Sequence, residues 1–567
     1  MKVIKCGEYF EAELSGATAK VSVDAIEIFV SGELTCALSP VSRVRAYREG
    51  EALSDAPEIT GFRYDENEGA FVWEATSPLW KSVTYRLAAF ESRFEYSVTV
   101  TGEGDVDKVE YFSSGVADRG SLFEFDRGFT PIPTVDGTSQ CEFAAQKTYD
   151  EFSYLTIPPL FVYSFDTAGI DEKTVFALAA GPGEHNFTKF DYITRASGYM
   201  RYFDFEVNFD GHTRVKDKWT SPTVFIYSAP DRLAALEYYS KAYFETGRAK
   251  VREAVKPPRF HAGPIACGWT EQAAYPASRG LPFSQPEASR EETYDNFNAE
   301  LGRRGISPTI MIIDDKWQTA YGDPYADPEK WSDLRGWIDR TRETLGRHVM
   351  LWYKLWDSEG LPDDECMMSD SPHNKRCADP SNPKYRARLK EILHRLLSDD
   401  DGCYNADGLK LDFAFFQPVG HSAVSCGGKY GVELFLEYFK FIYETAKEIK
   451  PNSVISGSPC HPLFAAFVDH ARLHDYHPDL RRGPEEFAFR RDIYRIALPW
   501  SLVDTDGAGY RSRRDTMRHL LAAPSLGIPD LYCITDLPCI HLTDEDWRAV
   551  SDSWREYSER MDKEYEE

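Results

Sequence analysis

The chain has 567 residues, too many for one ordinary hydrophobic core, so two or three domains are expected. Its formal net charge of -27, from 65 basic and 92 acidic residues, argues against a nucleic-acid backbone or an anionic membrane as the main partner. No stretch approaches the roughly 18 consecutive apolar residues of a membrane span, and the amino terminus lacks the apolar run of a signal peptide. We therefore expect a soluble, cytoplasmic protein.

The 11 cysteines are odd in number and show neither CxxC nor Cys/His ligand spacing. This pattern favours free thiols in a reducing compartment over a disulfide framework or a zinc site. We expect no metal and no cofactor.

The first 230 residues have the pattern of β-strands. FEYSVTV, residues 94 to 100, alternates apolar and polar residues, and YMRYFDFEVNF, residues 199 to 209, does so imperfectly. These runs are separated by glycine-containing turns, which predicts an antiparallel β-sandwich over residues 1–230. DRLAALEYYSKAYFETGRAK then has helical periodicity and is stopped by Pro257 and Pro258, so residues 231–258 are predicted to form a helical linker.

Beyond this linker, short apolar runs alternate with amphipathic helices, a pattern that predicts a (β/α)8 TIM barrel over residues 259–545 and a carboxyl-terminal helix over residues 546–567. Only a small helix fits between the fifth and sixth strands. The eight predicted strands are GPIACGW (263–269), TIMIID (309–314), VMLWYKLW (349–356), GLKLDF (408–413), SVISG (453–457), ARLHD (471–475), WSLVDTD (500–506) and DLYCITD (530–536).

Acidic residues lie at or just past the carboxyl ends of these strands, where a barrel of this kind carries its chemistry. Carboxylates accept several hydroxyl donors, so the pattern predicts a carboxylate-lined pocket for a polyhydroxylated sugar. The acids are Asp314, Asp315, Asp412, Asp475, Asp504, Asp506 and Asp536.

Two of these acids have the arrangement needed to cleave a glycosidic bond. Lys410 and Asp412 share strand parity, so both are predicted to point into the barrel mouth, where the cation favours an ionised Asp412. Asp475 follows two strands later and can oppose Asp412. Taken alone, KxD at a strand end is more often a structural salt bridge.

Three motifs together resemble the α-galactosidase and raffinose synthase group of retaining glycoside hydrolases, family 36 type. IIDDKWQ is similar to the group's "DDGWQ" motif, LKLDF to its "KxD" motif, and ARLHD to its "SDD" or "SDN" motif. CGWTEQ is similar to its "GWCTW" strand. Lys316 replaces the glycine of "DDGW", and His474 replaces the serine before the acid/base.

The resemblance implies a double-displacement mechanism with Asp412 as nucleophile and Asp475 as acid/base. It also implies that Asp314 and Asp315 bind the C4 and C6 hydroxyls of galactose, and that Lys410 touches ring hydroxyls. Further candidates for substrate contacts are Trp269, Trp317, Cys460 and Arg472.

Each motif has a structural alternative. The paired acids can cap a turn, the tryptophans can belong to the core, and HDYH can suggest a metal but has no third ligand at matching spacing. We expect the partner to be an oligosaccharide or a small galactoside. A galactosyl transferase and a non-catalytic carbohydrate-binding barrel remain alternatives. The oligomeric state is left open, a homo-oligomer included.

Overall fold

A computed structural model describes residues 2–113, 122–123, 127–130, 141–143, 158–197, 200–253, 255–474, 484–507, 512–537 and 540–566. Within these ranges no helix is both long and apolar enough to cross a membrane.

The amino-terminal part consists of antiparallel strands in three sheets. Their orders are β1-β2-β3-β4-β5-β13, β15-β14-β16-β17-β21-β11-β10-β9-β8 with β20 paired to β11, and β18-β19-β12-β6-β7. The strands are β1 Lys2–Cys6, β2 Tyr9–Glu13, β3 Ala17–Val21, β4 Ile26–Val30, β5 Glu33–Leu38, β6 Arg43–Arg48, β7 Glu51–Leu53, β8 Glu58–Asp65, β9 Ala70–Thr76, β10 Ser82–Ala89, β11 Phe94–Thr101, β12 Gly104–Tyr111, β13 Leu122–Phe123, β14 Arg127–Thr130, β15 Cys141–Phe143, β16 Val162–Thr167, β17 Ile170–Ala179, β18 Phe190–Ser197, β19 Met200–Val215, β20 Lys218–Thr220 and β21 Thr223–Ala229.

Alternating side chains pack these sheets face to face. In β11, every second residue is buried, as the sequence predicts for a half-buried strand. Phe176 of β17 and Phe205 of β19 meet between two sheets, with ring centroids 4.9 Å apart. Phe10 of β2 meets Phe71 of β9 at 5.6 Å. The predicted β-sandwich is therefore confirmed.

A helix, α1 Arg232–Glu245, connects the sandwich to the barrel. Asp231 begins it by accepting a hydrogen bond from the backbone N–H of Ala234. On its buried face, the hydroxyl of Tyr239 lies 3.0 Å from Nε2 of His461, a residue of the barrel. The helix thus packs the two parts of the chain together.

All eight predicted barrel strands are present and parallel, in the order β30-β29-β28-β27-β24-β23-β22-β31. A parallel bridge between Asp504 and Ile528 joins the two ends of this order and closes the barrel. The strands are β22 Ile265–Cys267, β23 Ile310–Ile313, β24 His348–Lys354, β27 Gly408–Asp412, β28 Val454–Gly457, β29 His470–Arg472, β30 Leu502–Asp504 and β31 Asp530–Leu531, and the pair β25 Cys366–Met368 and β26 Arg376–Ala378 forms a separate hairpin.

Amphipathic helices surround the barrel. In α5, the six apolar residues that the sequence places on one face are all buried. A short 3-10 helix, Pro462–Phe467, is the only helix between the fifth and sixth strands, as predicted. The α-helices are α2 Trp269–Arg279, α3 Glu291–Arg303, α4 Leu334–Leu345, α5 Pro383–Leu397, α6 Gly431–Ile449, α7 Pro484–Ala497, α8 Arg513–Leu526 and α9 Asp544–Glu566, with further 3-10 turns at Arg259–Ala262, Asp363–Glu365 and Ala414–Phe416.

Two glycines give a test of the barrel packing. A Cβ at Gly408 of β27 would overlap the backbone carbonyl of Val454 in the next strand, whereas a Cβ at Gly302 of α3 would meet nothing within 4 Å. We expect Gly408→Ala to lower the free energy of unfolding by about 1 to 3 kcal/mol. Gly302→Ala should raise it by up to about 1 kcal/mol. Urea denaturation of both variants measures this. Equal stability of the two would contradict the close approach of β27 to β28 at Gly408.

Candidate active site

A cavity of about 180 Å³ lies at the carboxyl ends of the barrel strands. Six residues predicted from the sequence line it, together with four that the sequence did not single out as site residues. The predicted ones are Trp269, Asp314, Asp315, Lys410, Asp412 and Arg472, and the others are Trp352, Phe413, Phe415 and Tyr532.

Asp412 ends β27 and faces this cavity with 21% of its side chain exposed. Its Oδ2 accepts a hydrogen bond of 3.0 Å from the indole N–H of Trp352, and its Oδ1 accepts one of 2.9 Å from the backbone N–H of Phe413. Nη2 of Arg472 lies 3.7 Å from Oδ1. Although burial raises the pKa of Asp412, the charges of Arg472 and Lys410 and these hydrogen bonds hold it below its ordinary value.

Lys410, two residues earlier on β27, pairs most closely with a different acid. Its Nζ lies 2.7 Å from Oδ2 of Asp314, 3.3 Å from the hydroxyl of Tyr532 and 3.4 Å from Sγ of Cys267. Burial lowers the pKa of Lys410, but the negative charge of Asp314 outweighs it and the pKa lies well above its ordinary value. Lys410 therefore stays charged, and the cation nearest to Asp412 among the described residues is Arg472.

The two adjacent acids after β23 have different environments. Asp314 is buried, and its backbone is fixed because its N–H donates to the hydroxyl of Tyr294 at 2.7 Å and its C=O accepts from Ser289 at 2.7 Å. Asp315 is half-buried, and its Oδ1 accepts no hydrogen bond from the described residues. Burial, and to a lesser extent the charges of Asp314 and Asp412, raise the pKa of Asp315 to about 6. Asp315 thus offers an acceptor to a ligand.

A second group of acids lies beneath the cavity lining, which corrects the expectation that all the strand-end acids share one rim. Asp506 is fully buried, its Oδ2 lies 3.3 Å from Nε of Arg472, and its Oδ1 accepts a hydrogen bond from Tyr532. Burial and the charge of Asp506 raise the pKa of Asp504 to about 7. Burial, Asp504 and Asp506 raise the pKa of Asp530 well above its ordinary value. These acids support the lining residues from below.

The remaining predicted residues lie elsewhere. Asp536 is exposed and pairs with His541 at 2.5 Å. Trp317 is fully buried, donates its indole N–H to the carbonyl of Trp352 at 2.9 Å, and is not among the described lining residues. Cys460 is also fully buried and is absent from the described lining. Asp475 lies outside the described residues, so its role stays a prediction.

Sequence reasoning missed four lining residues, although two of them carried a signal. In LDFAFF, Phe413 follows Asp412 directly and Phe415 comes two residues later. Aromatic residues just past a barrel strand are placed to cover a ligand. Trp352 lies within β24 and Tyr532 lies just past β31, and the apolar runs of the sequence around them conceal both.

No family model matches the chain, and no curated protein matches it in sequence. Solved structures of similar fold include a GH36 α-galactosidase AgaA variant from Geobacillus stearothermophilus in complex with 1-deoxygalactonojirimycin. It is 11% identical, with 98% of this chain and 86% of that chain covered and a TM-score of 0.53. The chain shares its fold.

Two enzymes described by other activities are equally similar in fold. A glucosidase II alpha subunit is 10% identical with a TM-score of 0.53, and the cycloalternan-forming enzyme from Listeria monocytogenes is 12% identical with a TM-score of 0.52. This chain is covered to 98% in both, and spans 59% and 54% of those chains. The predicted sandwich and barrel of the α-galactosidase group are therefore confirmed at the level of fold.

The environments of the two adjacent acids predict opposite effects on stability. Asp314→Ala leaves Lys410 buried without its closest carboxylate and should lower the free energy of unfolding by about 3 to 5 kcal/mol. The raised pKa of Asp315 means that the folded state binds a proton more tightly than the unfolded state between about pH 4 and pH 6, so this residue lowers stability as the pH rises through that range.

Asp315→Asn should therefore match the wild type near pH 4 and exceed its stability by about 1 to 3 kcal/mol at pH 7. Urea denaturation of the wild type and both variants from pH 4 to pH 7 measures this. Lower stability of Asp315→Asn than of the wild type at pH 7 would contradict a raised pKa of Asp315 in the folded state.

Proposed function

We propose that this protein is a retaining glycoside hydrolase that removes terminal α-galactosyl units, with Asp412 as its nucleophile. The observation that carries the proposal is an ionised carboxylate held at the wall of a small cavity by Arg472, Trp352 and the Phe413 N–H. A carboxylate nucleophile must be ionised to attack the anomeric carbon. The small volume of the cavity suits one terminal sugar unit.

Asp475 is proposed as the general acid and base from its position in ARLHD. Support comes from Arg472, three residues before it, because this residue ends β29 and its guanidinium lies 3.7 Å from Asp412. The chain therefore passes close to Asp412 only three residues before Asp475. In a retaining enzyme the two carboxyls lie about 5 to 5.5 Å apart.

Asp314 and Asp315 are proposed to select the sugar. Both line the cavity, and the half-buried Asp315 has an acceptor atom without a donor among the described residues. The axial C4 hydroxyl and the C6 hydroxyl of galactose lie on one edge, so adjacent carboxylates can accept both. Trp269 and Trp352 line the cavity, whereas Trp317 does not. The first two tryptophans are therefore proposed to cover the apolar face of the sugar.

An α-glucoside is the second candidate substrate. The observation in its favour is that the glucosidase II alpha subunit resembles this fold as closely as the α-galactosidase does. The two sugars differ at C4, which is the hydroxyl that the adjacent acids are proposed to bind.

Removal of the nucleophile gives the most direct test. Asp412→Ala should lower kcat on nitrophenyl α-galactoside by several orders of magnitude, because the covalent route is lost. Added azide should restore part of the activity and yield the β-galactosyl azide, identified by NMR.

Asp536→Ala is the matched control, since this aspartate also follows a barrel strand but is exposed and paired with His541. It should keep nearly all activity. Asp475→Ala should impair substrates with poor leaving groups far more than activated ones. An Asp412→Ala enzyme as active as the wild type would exclude this residue as nucleophile.

The sugar is decided by comparing kcat/KM for α-galactoside and α-glucoside. We expect the wild type to favour the galactoside by up to about 10⁴-fold, because an equatorial C4 hydroxyl leaves a desolvated carboxylate without its donor. Asp315→Asn and Asp314→Asn should both narrow this ratio. Preference of the wild type for the glucoside, or an unchanged ratio in both variants, would overturn the galactose assignment and leave the retaining mechanism intact.

A further inference from the structure

A cluster of two aspartates and a histidine that do not line the cavity lies where the sandwich meets the barrel. Asp107 belongs to β12, Asp210 to β19, and His421 to the loop between β27 and α6. One ligand-type atom from each of the three lies within 4.8 Å of the other two. Residues 107, 210 and 421 are distant in sequence, so only the fold brings them together.

The backbone of the sandwich is irregular at this cluster. The register of β12 shifts between Val106 and Lys108 against both neighbouring strands, which leaves Asp107 as a bulge residue. Opposite it, the register of β19 passes from Asn208 to Thr213, and the intervening segment contains Asp210 and Gly211 at φ of 46° and 77°. Bulges are used to redirect side chains at functional sites. Here the irregularity directs both aspartates toward the barrel loop.

The histidine is held in one orientation and one tautomer. Its ring stacks on Tyr47 of β6, with centroids 3.8 Å apart and the planes inclined by 7°. Its Nδ1 lies 2.9 Å from the backbone carbonyl of Asp210, so Nδ1 carries the proton and donates. The lone pair of Nε2 then faces Oδ1 of Asp107 at 3.6 Å. Two acceptors therefore face each other at a distance too long for a hydrogen bond.

The charged groups nearest to the buried Asp107 among the described residues lie beyond hydrogen-bonding distance. Its side chain is only 9% exposed, and it accepts no hydrogen bond from the described residues. Nε of Arg45 lies 3.8 Å from its Oδ2, but this arginine also contacts Glu110 at 3.5 Å, and nearby Lys108 pairs with Glu206 at 2.6 Å. A buried carboxylate in this position calls for a further cation.

We infer that Asp107, Asp210 and His421 bind a divalent transition-metal ion, with Zn²⁺ as the reference ion. Ligands to zinc at about 2.0 to 2.2 Å in tetrahedral geometry lie about 3.4 Å from one another, close to the 3.6 Å between Nε2 and Oδ1. The N–H of Nδ1 bonded to a carbonyl is the usual support of a metal-bound imidazole. An imidazole ligand favours zinc over Mg²⁺ or Ca²⁺. Oδ2 of Asp210 accepts a hydrogen bond of 2.5 Å from the hydroxyl of Tyr430, which fixes this carboxylate within the cluster.

The ion would join the sandwich to the loop that follows β27, the strand that ends at Asp412. This loop carries Phe413 and Phe415 into the cavity, and it is also bound to the sandwich where His212 Nε2 lies 3.0 Å from the Gly420 carbonyl. Metal binding would thus hold in place a loop that shapes the cavity. The inference about the ion does not depend on the reaction proposed above.

Calorimetric titration of the chelator-treated full-length protein with ZnCl2 at pH 7.5 tests the site. We expect the wild type to bind one Zn²⁺ ion at this site. Asp107→Asn and His421→Gln should each weaken the affinity for that ion by about 10- to 100-fold. Zn²⁺ should raise the melting temperature of the wild type and not of these variants, and MgCl2 should raise none. Co²⁺ in place of Zn²⁺ should give visible absorption bands that His421→Gln abolishes.

Asp105→Asn is the matched control, because Asp105 lies on the same strand, is more exposed and pairs with Arg214 instead. It should bind Zn²⁺ like the wild type. Melting temperatures in chelator show whether a variant is folded, and Asp210→Asn replaces Asp107→Asn if the latter is not. Equal Zn²⁺ binding by the wild type and both folded ligand variants would overturn the inference. So would the absence of zinc binding by the wild type.

Discussion

The charge balance inside the barrel mouth is the constraint on which the candidate site depends. Six aspartates, residues 314, 315, 412, 504, 506 and 530, lie at this end of the barrel, and among the described residues two buried cations, Lys410 and Arg472, face them. Desolvated carboxylates repel one another, so not all of them can be ionised with two positive charges between them. The shifted pKa values of these acids are therefore divided into lowered and raised ones. Asp412 and Asp506 keep lowered pKa values beside Arg472, whereas Asp504 and Asp530 have raised ones.

The backbone conformation just past the strands shapes the lining of the cavity. Trp356, Phe413, His474 and Asp506 follow four barrel strands and all have positive φ values, between 51° and 67°. Such a conformation costs a bulky residue on the order of 1 to 3 kcal/mol. It also breaks the alternation of side chains, so that neighbours such as Asp412 and Phe413 both line the cavity. Hydrogen bonds from the following backbone N–H groups to Asp412 and Asp504 offset part of that cost.

The sequence predicts the strands well and the charge network poorly, for physical reasons. Buried parallel strands are continuous apolar runs, which is why IMII and GLKLD could be located and assigned to a barrel. Side-chain partners depend on which strands are neighbours and on turn conformations that no local pattern encodes. Lys410 therefore turned out to pair with Asp314, and Arg472, proposed only as a substrate contact, is the cation nearest Asp412. Trp317 and Trp352 could not be told apart, because Trp317 follows an apolar strand and Trp352 lies in the next one.

The same balance separates catalysis from simple sugar binding. A site that only binds a sugar can use carboxylates as hydroxyl acceptors, but it does not require one of them to be kept ionised against the effect of burial. Asp412 is held ionised at the cavity wall although burial opposes it, with its charge favoured by Arg472 and by hydrogen bonds from Trp352 and the Phe413 backbone. The pKa of Asp315, at the same cavity, is instead raised to about 6, chiefly by burial. Environments that push two acids of one cavity apart in pKa are typical of sites that assign them different roles. The difference in pKa between the two acids supports the proposal that Asp412 is the nucleophile and that Asp315 accepts sugar hydroxyls.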